Sequence, residues 1–280
     1  MSEGKPAFVL VHGYWHNSGC WSEVVPRLQA RGFEVATLDL PGAGVNAKLP
    51  ASFLKRPLDP AAFAVEPSPN AAVTQEQRTQ AVIDLIRSLG RPVVLVGHSM
   101  GGATISDVVE AAPESIAAVV YLTAFLLAPG APPISVITHE TMAAAIVPSL
   151  FAADPAVVGA LRIDPRSADP DYRARLKDCF YGDVSDEVVA EIAPTLHCDE
   201  PMSTALRPSE VTAARFGSVP RHYIRCAEDH AITLAGQNHM LALADSALGG
   251  ETIVHTLQAS HSPFLSQPDE LTDLLASVAG

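Results

Sequence analysis

Apolar residues fall along this chain in two kinds of stretch. The first kind is short and nearly unbroken: Ala7-Phe8-Val9-Leu10-Val11, Val93-Val94-Leu95-Val96 and Ala117-Ala118-Val119-Val120-Tyr121-Leu122. Runs like these read as strands buried on both faces of a parallel sheet. Phe33 to Leu38, Arg221 to Cys226 and Glu251 to Leu257 are more mixed and read as further strands. The second kind carries helical spacing. Ser22 begins one helix, with Pro26 tolerated in its first turn. Thr74 and Gln77 form a capping box; Val82, Ile86 and Leu89 then line one face before Gly90 and Pro92 stop the helix. Ala231 to Leu243 and Asp269 to Val278 read as later helices, the last opened by Pro268. Strand and helix alternate, which predicts an α/β fold with a parallel central sheet and helices on both faces.

Two stretches break the alternation. Lys48 to Pro69 is punctuated by Pro50, Pro57, Pro60, Pro67 and Pro69. Regular structure is not expected through most of it, and Phe53, Leu54, Phe63 and Val65 suggest packing near a pocket rim. Phe125 to Phe216 holds many prolines among short helical patches, such as Thr141 to Val147 and the Ser185-capped Asp186 to Ile192. It reads as a helical cap, residues 125–216, inserted into a sheet domain made of residues 1–124 and 217–280.

Composition narrows the class. Of 280 residues 48% are hydrophobic, enough for one large domain without staples. The net charge of -13 disfavours nucleic acid and anionic membrane as partners. No apolar stretch approaches the ~18 residues of a membrane span. The first residues show no signal-peptide pattern. Cys20, Cys179, Cys198 and Cys226 are scattered without a C-x-x-C, which suggests reduced, buried thiols and a cytoplasmic protein. No metal or cofactor motif is present. Oligomeric state is left open, a homodimer being one option.

The chemistry centres on Gly97-His98-Ser99-Met100-Gly101, placed between a strand and a helix. This is a G-x-S-x-G turn in the context it needs: a strained bend that lifts one hydroxyl above a sheet. A serine hydroxyl needs a base, and the base needs an orienting acid. In this motif the acid and then the histidine follow the serine in sequence. His261, just past the last strand, is the base candidate, with His230 and His239 as rivals. Asp229 after the Arg221–Cys226 strand is the acid candidate, with Glu228 as its alternative. Asp245 reads as a solvated surface charge, and Asp39 as a turn residue. The backbone N–H groups of Met100 and Tyr14 are the candidate oxyanion donors. Gly13, Trp15, Phe125 and Leu126 are candidates for the substrate pocket, with Trp21 more at home in the core. His16 and His139 are candidate pocket residues, and His197 has no assignable role.

Taken together, Val11-His12-Gly13, Gly97-His98-Ser99-Met100-Gly101-Gly102, Glu228-Asp229 and His261-Ser262-Pro263-Phe264 resemble the α/β-hydrolase superfamily. Asp229-His230-Ala231-Ile232 with Gln237 downstream, and His261 followed by Ser266-Gln267-Pro268, resemble the branch of plant methylesterases, bacterial carboxylesterases and hydroxynitrile lyases. The resemblance implies an α/β-hydrolase fold and a serine esterase acting on a small to medium, largely apolar ester or lactone. Hydroxynitrile lyases of this type carry a threonine in the oxyanion loop and a lysine directly after the histidine. Gly13 and Ser262 stand there instead, which favours ester hydrolysis. The alternatives are a lyase or cyclase using the same residues, or a non-catalytic small-molecule receptor on the same scaffold.

Overall fold

The computed structural model describes residues 5–280, so the reading of residues 1–4 lies outside the described residues. In chain order the first half contains β1 (Ala7–Val11), α1 (Val24–Ala30), β2 (Val35–Thr37), α2 (Ala51–Leu54), α3 (Pro60–Val65), α4 (Gln75–Leu89), β3 (Val93–His98), α5 (Gly101–Ala111) and β4 (Ile116–Leu122). Then follow α6 (Pro133–Ile137), α7 (Pro155–Val158), β5 (Ala160–Arg162), α8 (Pro170–Tyr181), α9 (Asp186–Ile192), β6 (Asp199–Pro201) and α10 (Met202–Leu206). The chain closes with β7 (Arg221–Cys226), α11 (Leu234–Leu248), β8 (Ile253–Leu257), α12 (Pro263–Ser266) and α13 (Pro268–Ala279).

Six strands form one sheet in the order β2-β1-β3-β4-β7-β8, and every neighbouring pair is parallel. Alternate residues of the central strands feed opposite faces, as a period of two demands. Val9, Val11 and Leu95 pack with Val82 and Ile86 of α4 and Ile105 of α5. Phe8, Leu10, Val94 and Val96 pack with Leu28 of α1 and Leu271 and Leu275 of α13. The chain moves from β1 outward to β2, then crosses back to β3 on the other side of β1. Such a reversal opens a crevice at the carboxyl ends of the two strands, where ligands bind in open α/β sheets. Val11 pairs with Gly97, so the loops leaving β1 and β3 begin side by side.

Between β4 and β7 the chain leaves the sheet. Its short helices and the antiparallel β5–β6 ribbon build a third core with Tyr14, Trp15 and Met100 from the carboxyl edge. No helix among the described residues is long and apolar enough to cross a membrane.

Local expectations are corrected in four places. Most of the Pro-rich stretch is irregular as expected, with the two short helices α2 and α3 within it, the latter formed because Asp59 accepts from the N–H groups of Ala61 and Ala62 and Pro60 fits the first helical position. It does not reach the pocket rim. Arg162, fully buried, donates to the Phe63 and Glu66 carbonyls at the end of α3 and forms a forked pair with Asp199, at 2.6 and 2.7 Å. The stretch is thus pinned to the β5–β6 ribbon. Thr141 to Val147 forms 3-10 turns rather than a helix, with the His139 ring accepting from Thr141 N–H and Pro148 following. The helix expected from Ala231 starts only at Leu234, capped by Thr233, because Asp229 takes the Ala231 and Ile232 N–H groups. Finally, Asp245 is not merely solvated: it pairs with Arg221 at 2.8 Å and accepts from Thr252.

Candidate active site

Ser99 ends the bend between β3 and α5 with φ 54°, in the left-handed region that costs a non-glycine residue about 1–3 kcal/mol. The bend is held by neighbours. Ser99 N–H donates to the Leu122 carbonyl at 3.3 Å, and the Ser99 carbonyl accepts from Gly102 and Phe125, each at 3.0 Å. Helix and strand must come close, and two glycines allow it. A Cβ on Gly101 would lie 2.6 Å from the His12 carbonyl oxygen; one on Gly13 would lie 2.6 Å from the Ser99 Cβ.

Two loops past later strands bring the other candidates together. His261 Nδ1 lies 2.7 Å from Asp229 Oδ2, and both side chains are buried. Asp229 Oδ1 accepts from the N–H groups of Ala231 and Ile232, at 2.7 and 2.8 Å, and Oδ2 also accepts from the Thr123 hydroxyl. Both carboxylate oxygens are therefore acceptors, which puts the imidazole proton on Nδ1 and leaves Nε2 with a lone pair. Thr123 adopts φ 37°, strained for a β-branched residue, and its side chain meets the acid there. No hydrogen bond joins Ser99 Oγ and His261 in this structure; such bonds commonly tighten only around bound substrate. Glu228 is exposed, unlike the buried Asp229, and His230 is exposed against Asp178.

The N–H groups of Tyr14 and Met100 donate to no other described residue, and both residues line the same cavity as Ser99. Tyr14 and Trp15 are fixed by the segment between β4 and β7. Glu200 Oε1 accepts from the Trp15 N–H at 2.7 Å and from His197 Nε2 at 2.8 Å, while Oε2 accepts from Arg78 at 2.7 Å. His197 N–H donates to the Trp15 carbonyl at 3.1 Å. Burial by itself would raise the Glu200 carboxyl, but Arg78 and His197 beside it hold it down at about 2. Sequence reasoning missed this cluster, since nothing local marks Asp199-Glu200 or His197 as partners of a loop so far back in the chain.

Burial also governs the neighbouring histidines. His12 is lowered to about 4 and His16 to about 3, and His98 well below its ordinary value. All three are neutral imidazoles with structural bonds: His12 Nδ1 to the Gly13 carbonyl, His16 Nδ1 to the Tyr14 carbonyl, His98 Nε2 to the His261 carbonyl.

The cavity holds about 670 Å³ of empty space, including its open mouth. Tyr14, Trp15, Met100 and Phe125 wall it beside Ser99. Much of the remaining wall was not read from the sequence: Ile137, Met142, Phe151, Leu161 and Phe180 from the segment between β4 and β7, with Ile232 from the loop of Asp229. No ionisable carboxylate, Lys, Arg or His lines it. Three sequence candidates lie elsewhere. Leu126 is fully buried in the sheet core and borders a separate hollow, because the backbone turns its side chain to the far side of Phe125. His139 borders that same hollow, its ring 4.0 Å from His239. His16 is buried below the cavity, bonded to Tyr181. Gly13 presents only backbone against Ser99, and Trp21 lies in the core. Among the described residues no group of three or more His, Cys, Asp or Glu is gathered to hold a metal ion.

Comparison with known proteins agrees with this architecture. The sequence profile of the Alpha/beta hydrolase family matches residues 8–274. The chain is 30% identical over 275 residues to the pyrethroid hydrolase of Sphingobium wenxiniae, covering 97% of this chain and 86% of that one. It is 28% identical to putative methylesterase 11, chloroplastic, of Arabidopsis thaliana, over 97% of this chain; it spans 63% of the length of that relative. A crystal structure of a pyrethroid hydrolase with BIF superposes with a TM-score of 0.78 at 26% identity, covering 98% of this chain and 97% of that one.

Proposed function

Because this chain belongs to the alpha/beta hydrolase family, among relatives named as esterases and hydrolases, we propose that it cleaves an uncharged, largely apolar carboxylic ester or lactone through an acyl-enzyme. Ser99 is the nucleophile, His261 the base and Asp229 its orienting acid. The observation that carries this reading is the position of Ser99: its strained turn opens onto an apolar cavity, beside the two unengaged N–H groups of Tyr14 and Met100.

In the proposed reaction Ser99 Oγ attacks the ester carbonyl carbon as its proton passes to His261 Nε2. Negative charge gathers on the carbonyl oxygen, where the Tyr14 and Met100 N–H groups receive it. Asp229 steadies the imidazolium without taking its proton. The imidazolium then protonates the departing alkoxide, leaving an ester on Ser99. Water, deprotonated by His261, attacks that ester; collapse of the second tetrahedral adduct returns the proton to Ser99 and releases the acid. The wall excludes formal charge, so burying a substrate carboxylate there would leave it unpaired. Hydrolysis is favoured over cyanohydrin cleavage because Ser262, fully buried, offers no cationic group next to the base. The four cysteines are free and buried, consistent with a reducing compartment such as the cytoplasm.

The test is a panel of p-nitrophenyl esters and lactones of rising chain length, each neutral member matched with a carboxylate-bearing analogue. Neutral apolar members should turn over and their charged analogues should not. Ser99→Ala should lower kcat by up to ~10⁶-fold with the fold retained. Turnover persisting in that variant, or charged substrates preferred over neutral ones, would overturn the reading.

A further inference from the structure

Besides Ser99 and Thr123, Trp15 is held at positive φ, at 59°, directly after Tyr14, which lines the cavity. An aromatic side chain does not choose that backbone conformation unaided. Three bonds impose it, and all three come from the segment between β4 and β7. The Trp15 N–H donates to Glu200 at 2.7 Å, its carbonyl accepts from His197 N–H at 3.1 Å, and its indole N–H donates to the Leu161 carbonyl at 3.1 Å. The neighbouring Tyr14 is restrained the same way. Its hydroxyl is bonded to Thr204, and the Arg78 guanidinium sits 5.7 Å from its ring centroid.

We propose that Glu200 is a positioning residue for the oxyanion-binding loop: through the Trp15 N–H it fixes the peptide that aims the Tyr14 N–H at the developing charge. The inference rests on the hydrolase reading above. The carboxylate suits this role for a geometric reason. One oxygen serves the loop and His197, while the other is satisfied by Arg78, which crosses from α4 and also donates to the Pro41 carbonyl. A single buried anion thereby ties the β1 loop, α4 and the β6 strand into one rigid unit. Glu200 is fully buried and is not part of the wall of the Ser99 cavity, so it acts through the loop and not on substrate.

Removing Glu200 alone would strand the buried Arg78 charge, so the comparison is made in an Arg78→Met background. Glu200→Gln there keeps an oxygen for the Trp15 N–H; Glu200→Leu removes it. The Gln variant should hold kcat within about fivefold of the Arg78→Met parent. The Leu variant should lose about 10²-fold in kcat, the scale of losing one oxyanion donor, with KM little changed. Affinity for an aryl trifluoromethyl ketone, whose adduct with serine carries an oxyanion, should fall with kcat. Affinity for a matching ether, which makes no adduct, should stay. Equal kcat in the Gln and Leu variants, or ketone affinity unmoved, would overturn the inference while leaving the hydrolase reading intact. Ketone adduct formation surviving in Ser99→Ala would sink that reading instead. If the Leu variant does not fold, the unaltered protein decides: the Trp15 amide should show slow hydrogen exchange and a strongly downfield proton resonance. A fast-exchanging Trp15 amide would refute the positioning role.

Discussion

His98 Nε2 donates to the backbone carbonyl of His261 across 2.9 Å. The residue just before the elbow serine therefore grips the loop that carries His261, the proposed base. Their rings stand 4.5 Å apart, and the His98 ring packs edge-on against Phe264. This bond sets the register between two loops that leave different strands, so its loss should act on rate more than on stability. His98→Leu should lower kcat by about 10²-fold, the cost of roughly 1 Å of misplacement at a reacting centre. His98→Gln, which keeps a donor, should recover part of it. Steady-state kinetics on one neutral ester checks both; equal rates in the two variants would contradict the argument.

Asp229 meets four donors, one of them His261 Nδ1–H. Asp229→Asn would put an N–H₂ group where an acceptor is needed and reverse the imidazole tautomer. If the proposed triad operates as in serine proteases, kcat should drop by about 10⁴-fold. Thr123→Val removes one donor to the same oxygen and should cost far less, about tenfold, since the other three remain. A Thr123→Val loss as deep as that of Asn would mean that the strained Thr123 has a larger part than orienting the acid.

Buried histidines dictate an acid limb in stability. Folding depresses His12 to about 4 and His16 to about 3, against about 6.5 in an unfolded chain. Between those values the unfolded state binds protons that the native state refuses, so unfolding is favoured as pH falls. Stability should be full above pH ~6.5 and decline below it, each histidine contributing a slope of about 1.4 kcal/mol per pH unit until its native value is reached. Urea midpoints measured from pH 7.5 to 4.5 should show this. His16→Asn should flatten the limb. Midpoints that rise on acidification would contradict the assignment.

The Arg162–Asp199 pair is wholly buried and its fork also holds the end of α3. Breaking one side leaves an uncompensated ion. Asp199→Asn should therefore destabilise by about 3–5 kcal/mol, whereas Arg162→Met with Asp199→Leu should cost much less. Phe264→Ala, which empties a fully buried ring position beside His98 and Trp21, should cost about 3–5 kcal/mol. Chemical denaturation of the purified variants reads out all three.

The sheet was legible because β1, β3 and β4 are buried on both faces and so carry unbroken apolar runs that permit little else. Ser99, Asp229 and His261 stand out in the sequence as candidates because each follows a strand, where topology restricts the choices, and the structure brings the last two into hydrogen-bond contact. The cavity wall was not. Ile137, Met142, Phe151 and Phe180 lie in turns and short helices whose packing is decided by tertiary contact, not by periodicity. Glu200 was opaque for the same reason: its partners Trp15 and Arg78 are far away in sequence, and a buried acid looks like any other until its neighbours are seen. Of the neighbouring candidates Phe125 and Leu126, only Phe125 lines the cavity, and Leu126 packs into the sheet core. The proline-rich stretch is mostly irregular, as its prolines imply, but Asp59 and Pro60 also start a short helix, and its place against the β5–β6 ribbon rather than the pocket rim depends on the distant Arg162.

The missing side chain at residue 13 sets a limit on how this scaffold can change its trade. Hydroxynitrile lyases of the branch that the sequence resembles carry threonine in this loop, and a visitor of that size here would press its first carbon to within 2.6 Å of the serine's own and 3.0 Å of the His98 ring nitrogen. Swapping that one letter cannot import the other chemistry. The loop would first have to back away from the elbow, releasing the Glu200 grip on Trp15, so a designer seeking a cyanohydrin-cleaving version must rebuild the floor and its distant brace together.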